Sequence, residues 1–163
     1  MLRYTSYDIV FQEVPDEVTL AINLSNCPNR CKGCHSPHLQ ENNGKELTES
    51  VLSDLLTNYG NAITCVCFMG GDNSPENVLH LAKFVKQYPI ETYNCTSLQL
   101  PYKTAWYSGN SKLHKNAHQY FDYIKLGEYV KELGGLNFRT SNQRFYRIEN
   151  KKLIDITERF HKQ

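Results

Sequence analysis

Three closely spaced cysteines are the residues of this chain best suited to chemistry. Cys27, Cys31 and Cys34 have the spacing C-x3-C-x2-C and come shortly after an apolar run. Three thiolates can ligate three irons of a four-iron cluster, and they leave the fourth iron without a protein ligand. Because an iron with open coordination positions can bind a substrate directly, the spacing predicts a [4Fe-4S] cluster with chemistry at its open iron.

The spacing alone leaves other kinds of site open. A zinc site would need a fourth ligand, and His35, His38, Cys65 and Cys67 are candidates. A small electron carrier would need a fourth cysteine, and the compact two-residue gaps of bacterial ferredoxins are missing. Residues 1–8 lack the apolar core of a signal peptide, so we expect a cytoplasmic protein whose thiols stay reduced and form no disulfides.

Length and charge narrow the class of protein. The chain has 163 residues, which is the size of one domain, and we expect a single domain over residues 1–163. Its 18 Lys and Arg residues nearly balance 17 Asp and Glu residues, which gives no electrostatic basis for binding nucleic acid or a membrane surface. No apolar stretch approaches the roughly 20 residues that span a bilayer, so a soluble protein is expected.

The first half of the chain alternates predicted strands and helices. Residues 18–24 are apolar and β-branched, which is typical of a buried strand. Thr48 can cap a helix that ends near Gly60, and a second strand is predicted over residues 62–69. A second helix is indicated by Ser74 at its N-cap and a proline at its first position. This order favours a parallel α/β sheet.

The second half is less regular, but it contains further strand patterns. Residues 90–103, which include Cys95, are interpreted as an irregular excursion. Strands are then predicted over residues 104–109, 120–127 and 144–148. We therefore expect about five strands in a parallel-rich, incompletely closed barrel that binds ligands at the carboxyl ends of its strands.

A glycine loop, Met69-Gly70-Gly71-Asp72, follows the second predicted strand. Parallel strands bring the loops at their carboxyl ends to one edge, so this loop should face the cysteine loop. The two glycines let the backbone approach a ligand closely, and Asp72 can accept a hydrogen bond from a ligand ammonium. The alternative is an ordinary turn that leads into the next helix.

With these motifs the chain resembles the radical S-adenosylmethionine (SAM) enzymes and, within them, the activating proteins of anaerobic ribonucleoside-triphosphate reductases. That family combines C-x3-C-x2-C after the first strand with a Gly-Gly-Glu-like segment after the second. The resemblance covers most of residues 15–148, and it rests on Cys27 to Pro37, Gly70-Gly71-Asp72, Trp106 to Gly109, Asp122 to Tyr129 and Asn142 to Arg144.

The resemblance implies a partial radical SAM barrel and a redox reaction with a protein partner. Cys27, Cys31 and Cys34 would hold the [4Fe-4S] cluster, whose fourth iron would chelate the amino and carboxylate groups of SAM. An electron from a donor such as flavodoxin or ferredoxin would cleave SAM reductively. The resulting 5′-deoxyadenosyl radical would take a hydrogen atom from a glycine of the reductase.

The resemblance also implies the contacts of SAM. Its ammonium would lie against the glycine loop and its adenine near the third cysteine, which gives as contacts Gly70, Gly71, Asp72, Gly33, Cys34 and His35. Family members often carry an aromatic residue at the position of Gly33, and many have Glu-Pro where this chain has Asp72-Asn73. The carboxylate is therefore kept but shortened, and the adenine contact must come from elsewhere, such as His35 or backbone.

Other polar residues are weaker candidates. At predicted strand ends, Ser108, Asp122 and Lys125 would reach the pocket, or they form ordinary salt bridges and surface contacts. Near the C-terminus, Asn142, Gln143 and Arg144 would shape a partner-facing mouth, or they form a polar turn.

Rival functions also remain open at this point. Cys65 and Cys67 alternate on one face of a strand and are interpreted as core residues. The rivals are activation of a formate lyase-like enzyme, carbon insertion into a small molecule, electron transfer and a non-catalytic zinc-binding module.

Overall fold

The computed structural model describes residues 1–89 and 101–161. Within these residues, eight strands form one sheet in the order β3-β1-β2-β4-β5-β6-β7-β8. The strands are β1 Arg3–Val10, β2 Thr19–Leu24, β3 Lys45–Glu46, β4 Cys65–Met69, β5 Lys103–Tyr107, β6 Tyr123–Leu126, β7 Arg144–Glu149 and β8 Lys152–Asp155. The helices are α1 Glu49–Tyr59 and α2 Pro75–Gln87, with 3-10 turns at Pro37–Gln40, Gly60–Ala62, Ala117–Gln119 and Thr157–Phe160.

The centre of the sheet is parallel and its two sides are antiparallel. β2, β4, β5 and β6 are neighbours that run in the same direction. β1 and β3 extend the sheet on one side and β7 and β8 on the other, all by antiparallel pairing. The α/β class is confirmed, and each of the five expected strands is present. The sheet is mixed, and its closure into a partial barrel stays a prediction.

Both helices pack on one face of the sheet. The Thr48 side chain accepts a hydrogen bond from Val51 N at 3.2 Å, and Gly60 ends α1 with a positive φ of 25°. α2 begins at Pro75 as predicted, although the Ser74 side chain makes no capping bond. The core between helices and sheet contains fully buried side chains from both, among them Ile22, Leu52, Phe68, Val78 and Trp106. None of the described helices is long and apolar enough to cross a membrane.

The opposite face of the sheet carries a second, smaller core. Cys65 and Cys67 are completely buried there beside Phe145 and Val14. Burial raises the pKa of both thiols well above its usual value, so both stay protonated near neutral pH. They are core side chains, as the alternation predicts, whereas Cys95 lies outside the described residues.

A buried carboxylate joins the amino ends of the four parallel strands. Glu17, just before β2, is 6% exposed. It accepts hydrogen bonds from Thr64 Oγ1 at 2.7 Å, from Lys103 Nζ at 2.5 Å and from Tyr123 OH at 3.0 Å. Those three donors precede β4, begin β5 and begin β6, so a single side chain holds the four strands in register at this end.

Replacing Glu17 with Gln should make the protein less stable and less sensitive to alkaline pH. The hydrogen bond to Glu17 raises the pKa of Lys103, and burial together with Glu17 raises the pKa of Tyr123 to about 12. Both protonated forms are favoured by folding, so their stabilisation is present below the unfolded pKa values of about 10 and is lost as pH rises through the folded ones. The substitution should lower the free energy of unfolding by about 2 kcal/mol at pH 8. The loss is no larger because Lys103 is half exposed, so that solvent screens its interaction with Glu17.

Urea denaturation at pH 8 and pH 11 measures this effect. In Glu17→Gln, the free energy of unfolding should differ less between pH 8 and pH 11 than it does in the wild type. The control is Glu149→Gln, which removes half of an exposed ion pair with Arg147 and should change stability by less than about 0.5 kcal/mol. Equal stability of Glu17→Gln and the wild type at both pH values would refute this role.

Candidate metal centre

The three cysteines lie on one loop, residues 25–44, here called the cysteine loop, which leaves the carboxyl end of β2. Its two arms are joined by hydrogen bonds from Asn26 N to Glu41 O at 2.9 Å and from Cys27 N to Leu39 O at 3.0 Å. Positive φ angles at Asn26, Arg30 and Gly33 turn the chain between the cysteines. The three thiols are free and half buried, which leaves them accessible from the loop's surface.

Two nitrogen atoms point at the cysteine sulfurs. Ser36 N donates to Cys34 Sγ at 3.4 Å, and Asn29 Nδ2 lies 4.0 Å from Cys27 Sγ. Hydrogen bonds to sulfur ligands are one means by which proteins set the potential of an iron–sulfur cluster. The loop therefore provides polar support for negatively charged sulfur.

A buried lysine, Lys125, lies near the carboxyl end of β6. Lys125 is 8% exposed, and its ammonium donates to Gly127 O at 2.6 Å. Burial lowers its pKa to about 8, whereas Asp72 and the three cysteines act in the opposite direction. Burial and the nearby acidic groups thus act in opposite directions on the pKa of the Lys125 ammonium, and burial has the larger effect.

Asp72 is engaged by protein donors from two other loops. Among the described residues, four donors reach its carboxylate: Asn29 Nδ2 at 2.8 Å, Ser108 Oγ at 2.6 Å, Gly109 N at 2.7 Å and Asn110 Nδ2 at 3.3 Å. Each oxygen accepts two of these bonds. Asn29 follows β2, Asp72 follows β4 and the other donors follow β5, so the carboxylate ties together three loops at the carboxyl edge of the sheet.

Both glycines of the glycine loop have backbone conformations that other residues rarely adopt, and Gly71 is also closely packed. Gly70 has φ +101° and Gly71 has φ +90°. A β-carbon on Gly71 would lie 2.6 Å from Val78 and 2.8 Å from Leu24. Gly70 O accepts a hydrogen bond from the buried Trp106 indole at 2.8 Å. Backbone conformation therefore accounts for both glycines, and close packing against α2 and β2 is a second reason for Gly71. The loop's backbone remains at the edge next to Asp72.

The loop after β6 packs against the second half of the cysteine loop. A β-carbon on Gly33 would lie 3.2 Å from the aliphatic chain of Lys131. The His35 ring meets the Tyr129 ring edge to face, with centroids 4.5 Å apart. An aromatic pair thus stands beside the third cysteine, where the sequence itself has Gly33.

Comparison with known protein families decides the class of this site. A family model described as "4Fe-4S single cluster domain" matches residues 18–146, which include all three cysteines and most of the sheet. The chain belongs to the 4Fe-4S single cluster domain family. Neither the curated proteins nor the solved structures contain a significant match to it.

The side chains of this 4Fe-4S domain fit the cluster that its family implies. Thiolates are the ligands that iron–sulfur clusters prefer, and the cysteine loop supplies three free cysteines that can provide them. Among the described residues, no three His, Cys, Asp or Glu side chains converge on a single metal ion. In a four-iron cluster each cysteine ligates a different iron, so convergence on one point is not required.

The weaker candidates of this 4Fe-4S domain lie at both ends of its parallel strands. Ser108 binds Asp72 and belongs to the site. Asp122 precedes β6 at the opposite edge, where it pairs with Lys86 from α2 and accepts from Thr104 N. Sequence reasoning placed it at a strand end without fixing which end, and the structure separates it from the cysteines.

The three residues predicted to shape a mouth have different surroundings. Asn142 and Arg144 line a cavity of about 350 Å³, whose other wall includes Gly109 and Asn110. Gln143 is 6% exposed and donates to Gly127 O at 3.3 Å, so it supports the loop after β6 from within.

Sequence reasoning missed three residues that connect the cysteine loop to its neighbours. Asn29 lies inside the motif, but its side-chain target is 43 residues away in the chain. Tyr129 and Lys131 belong to an irregular loop with no periodicity. Asn29 could have been found, because it is a polar residue between two candidate ligand cysteines. Nothing in the sequence distinguishes Lys131 in this way.

Proposed function

We propose that this 4Fe-4S protein is a radical SAM activase that generates a glycyl radical on an anaerobic ribonucleoside-triphosphate reductase. The observation that carries the proposal is a loop with three free thiols beside a glycine loop, both at the carboxyl edge of parallel strands. Three thiolates leave one iron of a four-iron cluster for a substrate. The carboxyl edge is where open α/β sheets bind their ligands.

Each part of the edge has a distinct role in this proposal. Cys27, Cys31 and Cys34 would hold the cluster, which would supply the one-electron chemistry for reductive cleavage of SAM. The buried ammonium of Lys125 would offset part of the negative charge of the three thiolates. The SAM ammonium would donate to the backbone of Gly70 and Gly71. Gly70 O can accept this bond in addition to the one from Trp106, because a carbonyl oxygen has two lone pairs.

The proposed adenine contact is the aromatic pair beside the third cysteine. His35 and Tyr129 offer ring surface at the place where relatives often have an aromatic residue and this chain has Gly33. Gly33 and Cys34 contribute backbone alongside it. The Lys131 chain fills the space next to Gly33, so an adenine in this position would stack on the pair and not on the glycine.

The partner side of the proposal rests on the cavity lined by Asn142 and Arg144. It adjoins Gly109 and Asn110, which contact Asp72, so a polypeptide segment that enters there would come close to the SAM site. A flavodoxin or ferredoxin is the proposed electron donor.

Radical transfer is tested by anaerobic incubation of the reconstituted protein with reductant, SAM and the reductase. We expect 5′-deoxyadenosine in the solution and a glycyl radical signal in the electron paramagnetic resonance (EPR) spectrum of the reductase. A reductase whose radical-bearing glycine is replaced by alanine should give no such signal. A formate lyase-type enzyme as acceptor tests the rival activase. Zinc-loaded protein without labile sulfide would overturn the proposal in favour of the zinc-binding module.

A further inference from the structure

We propose that Asn29 is a positioning residue that links Cys27 to Asp72. Through this link it fixes the position of the cysteine loop and raises the reduction potential of the cluster. The inference rests on that part of the proposed function which assigns the cluster to Cys27, Cys31 and Cys34. It gives Asp72 a structural role that the resemblance to SAM-binding loops does not.

The Asp72 carboxylate is already surrounded by protein donors. A carboxylate offers about four lone-pair positions, and the described donors to Asp72 occupy that number. Ser108 and Gly109 hold it at 2.6 and 2.7 Å, both from the loop after β5. Asp72 is therefore an acceptor whose position follows from the paired strands β4 and β5.

Asn29 transmits that fixed position to the cysteine loop. It is the described residue of that loop whose side chain reaches Asp72, at 2.8 Å. It also lies against Gly109, where a β-carbon would come within 2.2 Å of Asn29 Nδ2. The absence of a side chain at Gly109 thus makes room for the Asn29 amide, and the amide is confined between Gly109 and Asp72.

The same amide lies near a proposed cluster ligand. Asn29 Nδ2 is 4.0 Å from Cys27 Sγ, while it donates its other hydrogen to Asp72. An N–H directed at a ligand sulfur stabilises the more negative, reduced state of a cluster and raises its potential. Asp72 orients the amide so that this N–H keeps its direction, which is how outer-shell residues usually act on a metal site.

The test measures the cluster in the absence of SAM and reductase. Wild type, Asn29→Leu, which keeps the side-chain shape, and the smaller Asn29→Ser are reconstituted anaerobically. Iron and sulfide per chain are determined, and the midpoint potential is obtained from an EPR-monitored redox titration. The control is Asn43→Ala, because Asn43 donates to His38 O within the same loop and contacts neither Asp72 nor a cysteine sulfur in the described structure.

Both Asn29 variants should bind less cluster, and the cluster that they do bind should have a more negative potential. Asn43→Ala should match the wild type in both respects. Wild-type loading and potential in Asn29→Ser would overturn the inference, even if Asn29→Leu fails to fold. A wild type that holds a cluster but never cleaves SAM would refute the proposed function and leave this result interpretable.

Discussion

Replacing Cys31 with alanine should abolish cluster assembly and, with it, all reductive cleavage of SAM. The variant leaves two cysteines for four irons. Among the described residues, the loop has no other cysteine that could replace Cys31. The sheet does not depend on Cys31, which is half buried on a loop, so the fold should be preserved. Iron and sulfide content should fall to background, and 5′-deoxyadenosine should become undetectable.

A buried cysteine provides the matched control. Cys67→Ala removes a thiol that is completely buried on β4 and that burial keeps protonated. It should lower the free energy of unfolding by about 1 kcal/mol while iron content stays at the wild-type value. Loss of iron in Cys67→Ala, or a fully loaded cluster in Cys31→Ala, would show that the ligands have been assigned wrongly.

Replacing Gly71 with alanine should be the most damaging single change at the site that involves no cluster ligand. A residue with a β-carbon at φ +90° is strained by about 1–2 kcal/mol. The new methyl group would also meet Val78 and Leu24 at 2.6 and 2.8 Å, and overpacking of this kind costs about 1–3 kcal/mol. The sum is about 2–5 kcal/mol, or a fall in the melting temperature of roughly 10 °C.

The comparison is Gly135→Ala, at a glycine without a positive φ and with ordinary contact distances. Thermal denaturation followed by circular dichroism should show a wild-type melting temperature for Gly135→Ala and a large decrease for Gly71→Ala. A Gly71→Ala protein as stable as the wild type would mean that neither packing nor backbone conformation requires the glycine. A role in ligand contact would then be the remaining explanation for it.

The sequence contained enough information to predict the edge where the site lies. Apolar runs identified β2 and β4, Thr48 and Pro75 marked the helix starts, and alternation of strands and helices implied parallel pairing. Parallel pairing in turn places the cysteine and glycine loops at one edge. Each of these inferences uses contacts that are local in the chain, and local patterns can be recognised without coordinates.

The contacts that organise the site could not be predicted in the same way. The partners of Asp72 lie 36 to 43 residues away, on loops whose geometry is set by the sheet and not by any pattern in their own residues. The three donors to Glu17 are likewise distant from it in the chain. Long-range polar pairing leaves no periodic signal, so both carboxylates became visible only once the strands were in place.

Two of the three strands that the sequence analysis did not predict, β3 and β8, have weak signals for a related reason. β8 is exposed along its whole length, so it has no buried face to produce alternation. The turn before it consists of Asn150 and Lys151, both with positive φ, where a glycine would usually indicate such a hairpin. β3 has two residues and is held by pairing with β1. Position in the sheet, and not local preference, makes these segments strands.

The two carboxylates suggest a division between the edges of the sheet. Glu17 joins the amino ends of the parallel strands, far from the cysteines, and its loss should affect stability alone. Asp72 joins the loops at the carboxyl ends, where the cluster ligands lie, and its network should affect the cluster as well. This separation matches the general behaviour of α/β folds, in which function is concentrated at the carboxyl ends of strands.

The EPR spectrum of the reduced cluster, recorded without and with saturating SAM, tests the central claim most directly. Three protein thiolates leave one iron available to SAM, so the account predicts that SAM changes the g-values of the cluster while methionine alone does not. An intact [4Fe-4S] cluster whose spectrum is identical with and without SAM would contradict it.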